Sequence, residues 1–191
     1  MMDEDRPIVE EVRAGDPRRY AVLVERHKDR ALTLAVRVLG DRRDAEEAVQ
    51  DAFVRAYRSL DRFRGDARFG TWLYRIVYNV CLSRAARRPD PGTADGGREE
   101  EPEVLQIEDD DPSALERMEE EEMREGLRRA MAALPEKFRT VLTLFYVQEM
   151  QYEEIAAVLA LPVGTVKTHL FRARGHLRRA LVQSRSEEVV P

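Results

Sequence analysis

Cysteine is almost absent from this chain. Cys81 is the only one in 191 residues, so neither an internal disulfide nor a cysteine-rich metal site can form. Histidine is nearly as scarce, with His27, His169 and His176 as the full set. His169 and His176 fall on roughly one helix face, but no carboxylate pair accompanies them. A place flanking the outer face of that helix accounts for them better than a metal does. Long apolar runs are missing too. None approaches the roughly 18–20 residues that a bilayer requires, and the opening "MMDEDRPIVEEV" is acidic where a secretion signal is basic and then apolar. No phosphate loop, no Gly-x-Ser-x-Gly and no Ser/His/Asp arrangement occurs. These absences predict a cytoplasmic binding protein rather than an enzyme, with no cofactor, no metal and no membrane insertion.

What the chain has is charge. Charged residues make up 36% of it against 7% aromatics, a composition suited to a soluble helical protein. The net charge of −5 would argue against nucleic acid if it were evenly spread, and it is not. Residues 1–15 carry −3, residues 16–88 carry +7, residues 89–125 carry −13 and residues 126–191 carry +4. Two basic blocks therefore flank one strongly acidic block, and this distribution governs the choice of partner.

The hydrophobic period is helical throughout, without β-alternation or internal repeat. "AVLVERHKDRALTLAVRVLG" ends on Gly40, a natural helix stop. Asp44 with Glu47 three residues on resembles a capping box for the next helix, which places Val49, Phe53 and Ala56 on one side. Thr71 is expected to open a helix that is apolar around most of its circumference and basic at its end. Residues 89–112 combine Pro, Gly and acidic residues with almost no apolar period, as an extended, self-repelling linker does. Ser113 is a candidate cap where the helical pattern resumes, Pro135 ends or resets that helix, and "EKFRTVLTLFYVQEM" follows. The expectation is an all-α protein. Two small helical domains, residues 16–88 and 119–182, are joined by a flexible acidic linker at 89–118, with an N-terminal arm at 1–15 and a tail at 183–191.

The stretch "YEEIAAVLALPVGTVKTHLFRARGHLRRAL" reads as two helices with a turn between them. In the second, Val166, Leu170, Ala173 and Leu177 make one buried stripe. At about 100° per residue the other side carries Lys167, Thr168, Phe171, Arg172, Arg178 and Arg179. A plain αα-hairpin with a solvated basic face is the bland alternative. Against it stand the small Ala156 at the helix crossing, the Pro and Gly of "ALPVG" as enforcers of a sharp turn, and an outer face that mixes phosphate-binding with base-edge groups. These favour a helix-turn-helix lying in the major groove.

In "FRGDARFGTWLYRIVYNVCLSRAARR" the aromatics Trp72, Tyr74 and Tyr78 lie beside Arg64, Arg68, Arg75, Arg84, Arg87 and Arg88. Aromatic faces stack unpaired bases and Arg binds phosphates, so the mixture suits single-stranded nucleic acid. The polar loop at 61–68 could cup an extruded base. If Tyr74 and Tyr78 are wholly core, base capture moves onto that loop. One region for duplex and another for separated strands describes a protein that opens DNA.

Three segments carry a family resemblance: "DAEEAVQDAFVRAY", "FRGDARFGTWLYRIVYNV" and "LPEKFRTVLTLFYVQEMQYEEIAAVLALPVGTVKTHLFRAR". Together, at these spacings, the chain resembles the extracytoplasmic-function group of bacterial sigma factors, of the sigma-70 family, over about residues 16–88 and 126–182. The resemblance implies a promoter-specificity subunit that binds core RNA polymerase, recognises −35 and −10 elements and assists melting. It implies that Glu46, Glu47, Gln50 and Asp51 meet the clamp of the polymerase β′ subunit, while the β flap is a further contact. Phe63, Arg64, Trp72, Tyr74, Arg75 and Asn79 would read the −10 element on the non-template single strand. Lys167, Thr168, Phe171 and Arg172 would read duplex at −35. The acidic linker would thread toward the RNA exit channel. An anti-sigma partner is implied as well, able to hold the otherwise cytoplasmic protein near the membrane. Where some relatives place a basic residue that reaches DNA, this chain reads "TLFYVQEM", which puts that phosphate contact in doubt. The competing reading is a free-standing helix-turn-helix regulator that binds duplex DNA without polymerase. It leaves the aromatic-Arg region without a role. A nucleic-acid enzyme would need a metal or acid/base cluster, and the sequence has none.

Overall fold

The computed structural model describes residues 3–87 and 114–187, with the backbone alone for 114–122 and 183–187. The expected cap at Ser113 and most of the acidic linker lie outside the described residues. Among the described residues every regular element is helical. In chain order they are α1 (Arg6–Arg13), α2 (Tyr20–Leu39), α3 (Arg42–Arg58), α4 (Phe69–Ala85), α5 (Ala114–Ala132), α6 (Glu136–Leu142), α7 (Tyr152–Leu159) and α8 (Val163–Glu187). Short 3-10 turns at Pro17–Arg19 and Leu60–Arg62 precede α2 and follow α3, and a π turn at Thr143–Val147 continues α6.

Local chemistry sets most of the boundaries. Gly40 takes a left-handed conformation (φ +70°) and its N–H donates to the Val36 carbonyl at 2.8 Å, so α2 stops where a side chain would be strained. The next helix starts earlier than its sequence suggests. Asp41, in extended backbone directly after that stop, accepts from the Asp44 N–H at 2.8 Å and caps α3. Asp44 then lies inside the first turn, where its charge favours the helix dipole, and Glu47 instead pairs with Arg84 of α4 at 3.1 Å. Thr71 does not open α4, which begins at Phe69; Thr71 is buried.

Helices α2, α3 and α4 pack against one another as a three-helix unit. The inner stripe of α3 is Ala45, Ala48, Ala52 and Ala56, all fully buried, and small residues at these positions let helix backbones approach closely. Residues 1–15, expected as an N-terminal arm, contain α1, whose Ile8 and Val9 are buried against this unit. A polar chain anchors it. Asp5 accepts from the Arg26 guanidinium at 2.6 Å and lies 2.7 Å from His27 Nε2, and the other ring nitrogen of His27 meets the Tyr74 hydroxyl at 2.9 Å.

In the C-terminal half α5, α6 and α7 all pack against α8. Val166, Leu170 and Ala173 are buried as the stripe predicts, and Leu177 is half-buried. His169 and His176 both lie on the Phe138 ring, which fits packing rather than metal binding. The two halves also meet. Helix α7 lies along α4 and α6 touches α2. Arg139 donates to the Arg37 carbonyl at 3.0 Å and Gln148 to the Arg30 carbonyl at 2.8 Å, satisfying backbone groups of α2 from the other half.

The Asp5 anchor has a pH signature. Burial raises its carboxyl pKa, but the hydrogen bonds and charges of His27 and Arg26 outweigh burial and hold it below the ordinary value. A carboxylate depressed in the folded state stabilises fully above its unfolded pKa of about 4 and loses that contribution as pH falls through the folded value. Asp5→Asn should therefore destabilise the protein by about 1–3 kcal/mol at pH 7. Its difference from wild type should shrink below about pH 4, as read by urea denaturation at both pH values. A pH-independent difference would show that the Asp5 charge contributes nothing.

Candidate polymerase and nucleic-acid interfaces

The outer face of α3 presents Glu46, Glu47 and Gln50 to solvent, with Asp51 half-buried beside them. Each acid already has a basic neighbour: Glu46 with Arg42 at 3.1 Å, Glu47 with Arg84 at 3.1 Å and Asp51 with Arg55 at 2.8 Å. Exposed pairs of this kind contribute little, so a partner could displace them at small cost. Val54 is exposed on the same face, four residues after Gln50. Sequence reading passed over it, although an apolar residue out of phase with the Val49, Phe53 and Ala56 stripe was the available signal.

The loop between α3 and α4 and the start of α4 form the second surface. Arg64, Gly65, Asp66 and Ala67 are exposed at its tip, Trp72 is half-buried, and Arg75 and Asn79 are exposed along α4. Trp72, Arg75 and Asn79 share one face of α4 through their three- and four-residue spacings. Phe63 and Tyr74 are placed otherwise than a direct role in base capture requires. Phe63 is buried, with its ring 5.3 Å from Trp72 and 5.8 Å from Phe69. Tyr74 is buried too, with its hydroxyl on His27, and burial pushes its pKa up to about 12. Both rings fill the space between α4 and the rest of the unit, so they support the surface from behind. Tyr78 is half-buried. The tight packing also shows at Gly70, where a Cβ would come within 3.1 Å of the His27 ring.

The third surface is the pair α7 and α8, which meet at 102°, within the range of helix-turn-helix units. The turn is not made as expected. Ala160 adopts the left-handed conformation (φ +54°) and Leu161 N–H donates to the Ala156 carbonyl at 3.1 Å, whereas Gly164 lies in the first turn of α8. Lys167, Thr168, Phe171, Arg172, Arg178 and Arg179 all face solvent, and Phe171 is 78% exposed. An exposed phenyl ring among cations has no folding rationale and suits contact with a thymine methyl. Behind this face a stack of rings steers two cations. Lys167 Nζ lies 5.4 Å from the Tyr152 ring centre, Tyr152 stacks on Phe145 at 5.4 Å, and Arg174 lies 5.4 Å from both Phe145 and Tyr146. Arg174 thus sets a positive charge against the "TLFYVQEM" stretch, which has no basic residue of its own. His169 lies beside this surface; burial first, then the charges of Lys137 and Arg172, lower its pKa.

Two family models match the chain, sigma-70 region 2 over residues 23–89 and sigma-70 region 4 over residues 124–177. The RNA polymerase sigma-H factor of Pseudomonas aeruginosa is 37% identical over 186 residues, 94% of each chain. The ECF RNA polymerase sigma-E factor of Escherichia coli K12 is 39% identical over 175 residues, 89% of this chain and 90% of the relative. The chain belongs to the extracytoplasmic-function sigma factors of the sigma-70 family. Its fold agrees. CnrH, in a structure with the cytosolic domain of CnrY, superposes with a TM-score of 0.65 at 29% identity, over 95% of this sigma factor and 99% of CnrH. The sigma factor RpoE from Bartonella quintana, solved with the anti-sigma factor NepR, shares the fold with a TM-score of 0.63 at 21% identity, over 85% of this chain and 96% of that one. The region 2 match spans α2 to α4 and the region 4 match spans most of α5 to α8, while α1 lies upstream of both. A sigma subunit is thus a non-catalytic initiation factor built on both halves. The free-standing regulator accounts for one half only.

The left-handed alanine makes this sigma factor's helix-turn-helix testable. Ala160 is exposed and strained where glycine would not be, so Ala160→Gly should raise unfolding stability by about 0.5–1 kcal/mol without altering duplex binding. Destabilisation in chemical denaturation would contradict that turn geometry.

Proposed function

We propose that residues 16–88 bind core RNA polymerase and read the −10 element, and that residues 119–182 read the −35 element. The observation that carries this is the exposed Lys167, Thr168, Phe171 and Arg172 face on a helix-turn-helix, in one chain with the Arg64, Trp72, Arg75 and Asn79 surface. A major-groove face and a basic, aromatic face for single strands are the two tools that promoter recognition and melting require. Glu46, Glu47, Gln50 and Asp51, with Val54, form the proposed contact to the polymerase clamp, and region 4 would meet the β flap. Phe63 and Tyr74 support the −10 surface rather than touch DNA. The site of action is the cytoplasm, and the similarity to sigma factors solved with anti-sigma partners supports control by such a partner.

The packed arrangement of the halves bears on how the protein works. At 3.4 Å per base pair, elements about 25 base pairs apart are separated by about 85 Å. Helices in contact, as α4 and α7 are, have axes about 8–10 Å apart. The two readers therefore cannot hold both elements until the halves separate. Residues 88–113 reach at most about 90 Å when fully extended, enough to allow it. A cleft of about 750 Å³ beside the −10 loop is also walled by Glu153, Glu154 and Ala157 of α7. Separation would open that cleft to a strand.

Run-off transcription with bacterial core polymerase on a pool of two-element promoters tests the reading. A discrete start site should appear only when the protein is added, and Arg172→Ala should weaken it about tenfold or more. Duplex binding by the free protein without stimulated transcription would overturn it. The packed form has its own check. Glu154 Oε1 contacts Arg68 at 3.6 Å and Thr71 at 3.4 Å, so Glu154→Gln with Gln148→Ala should loosen the two halves. The expected result is a larger radius of gyration by X-ray scattering, and an unchanged radius would show that these bonds do not hold the halves together.

A further inference from the structure

We propose that the N-terminal helix α1 is a working part of the −10 reader, with Asp3 and Arg13 as positioning residues that fix the two ends of the loop between α3 and α4. The proposal rests on the reading of that loop as a single-strand surface. The region 2 match begins at residue 23, ten residues after α1 ends, and assigns α1 no role.

At the first end of the loop, the Arg13 guanidinium donates to the Leu60 carbonyl from Nη2 at 2.6 Å and from Nε at 3.1 Å. The same Nη2 also donates to the Phe63 carbonyl. A planar fork can hold two carbonyls at a fixed separation, which an ammonium cannot do. At the other end, Asp3 accepts the Phe69 N–H at 2.7 Å. Phe69 is the first residue of α4, and Arg68 before it offers no side-chain cap. Asp3 thus supplies from 66 residues away the cap that the local sequence lacks. Asp3 is itself held, because it also accepts from the Asp5 N–H at 3.2 Å, and Asp5 is locked to Arg26 and His27.

Between the two fixed ends the tip is open to solvent. Arg64, Gly65, Asp66 and Ala67 are exposed, and Gly65 takes φ +77°. Fixed ends with an exposed tip are what capture of a base demands, since the loop must offer one shape while its polar groups remain free. Arg13 also fixes Phe63, whose ring backs Trp72. A shift of that carbonyl would move the only tryptophan of the chain, on the proposed DNA face. Through these contacts α1 determines where Arg64 and Trp72 stand.

The test compares holoenzymes assembled from full-length wild type, Arg13→Ala, Arg13→Lys, Asp3→Ala and Asp3→Asn. Each is titrated with a single-stranded −10 oligonucleotide, with a duplex carrying only the −35 element, and for affinity to core polymerase. Arg13→Ala and Asp3→Ala should weaken the single strand about tenfold and leave the other two affinities unchanged. Asn has one acceptor oxygen where Asp3 uses two, so Asp3→Asn can keep the Phe69 cap while losing the Asp5 bond and should fall between wild type and Asp3→Ala, whereas Arg13→Lys should not restore binding. Wild-type affinity for the single strand in both alanine variants would overturn the proposal. So would a parallel loss of all three affinities, which marks general unfolding. A wild-type holoenzyme with no preference for a −10 strand would instead defeat the reading of the loop and the proposal with it.

Discussion

The packing of α4 constrains everything else in this molecule. Its sequence is apolar nearly all the way round, a pattern that a helix can carry only when it is covered on several sides. Helices α2 and α3 cover two sides, and α7 of the other half covers a third. The fully buried Leu73, Val77 and Cys81 belong to this contact surface, and burial pushes the Cys81 thiol up to about 12, leaving it inert at neutral pH. What α4 leaves exposed is the Arg75 and Asn79 strip, with Trp72 at its margin, and beyond it Leu82, Ser83 and Ala85 toward the C-terminal end. One helix therefore serves as the centre of the N-terminal core, the seat of the other half and the floor of the proposed single-strand surface. A change that moved it would be felt in all three places.

The charge distribution follows from the same division of labour. A chain of net charge −5 can still present cationic faces, because its acids are concentrated between the two halves and in residues 1–15. Within the folded halves, three acids near the readers have structural tasks. Glu154 receives the Gln151 N–H at the start of α7 and also faces Arg68. Asp3 caps α4, and Asp5 joins α1 to α2 and, through His27, to Tyr74. Each neutralises a local dipole or cation and leaves the outward Arg and Lys side chains to set the long-range field.

Much of the fold was legible from periodicity and from special residues. The stop at Gly40, the stripe of Val166, Leu170 and Ala173, and the outward set from Lys167 to Arg179 are local properties, and they stand in the structure as read. What escaped depends on contacts distant in sequence. Asp3 reveals itself as a cap only beside Phe69, and Arg13 as a clamp only beside Leu60 and Phe63. Phe63 and Tyr74 carry rings that could stack on bases or fill a core, and composition alone does not separate the two uses. Ala160 was hidden for another reason. Left-handed backbone normally announces itself by Gly or Asn, and here the adjacent "LPVG" drew that role in its place. The Asp41 cap was obscured by a second aspartate three residues on, which mimics the same signal.

The energetics explain why positioning counts for so much in a surface this small. Separating DNA costs about 1.4 kcal/mol per base-pair step. Stacking one base on an aromatic side chain returns about 1–3 kcal/mol. A loop with a few arginines, beside one tryptophan of α4, can therefore offset a small number of steps, and only if these groups already stand where the base arrives. Every residue whose backbone must be frozen at that moment subtracts about 1–2 kcal/mol of entropy from the gain. In the proposed role of α1, holding the loop in advance removes that loss and leaves the stacking free energy available for opening. The remaining steps exceed what the chain can offset alone. Melting then belongs to the assembly with polymerase, and the sigma surface decides at which base it begins.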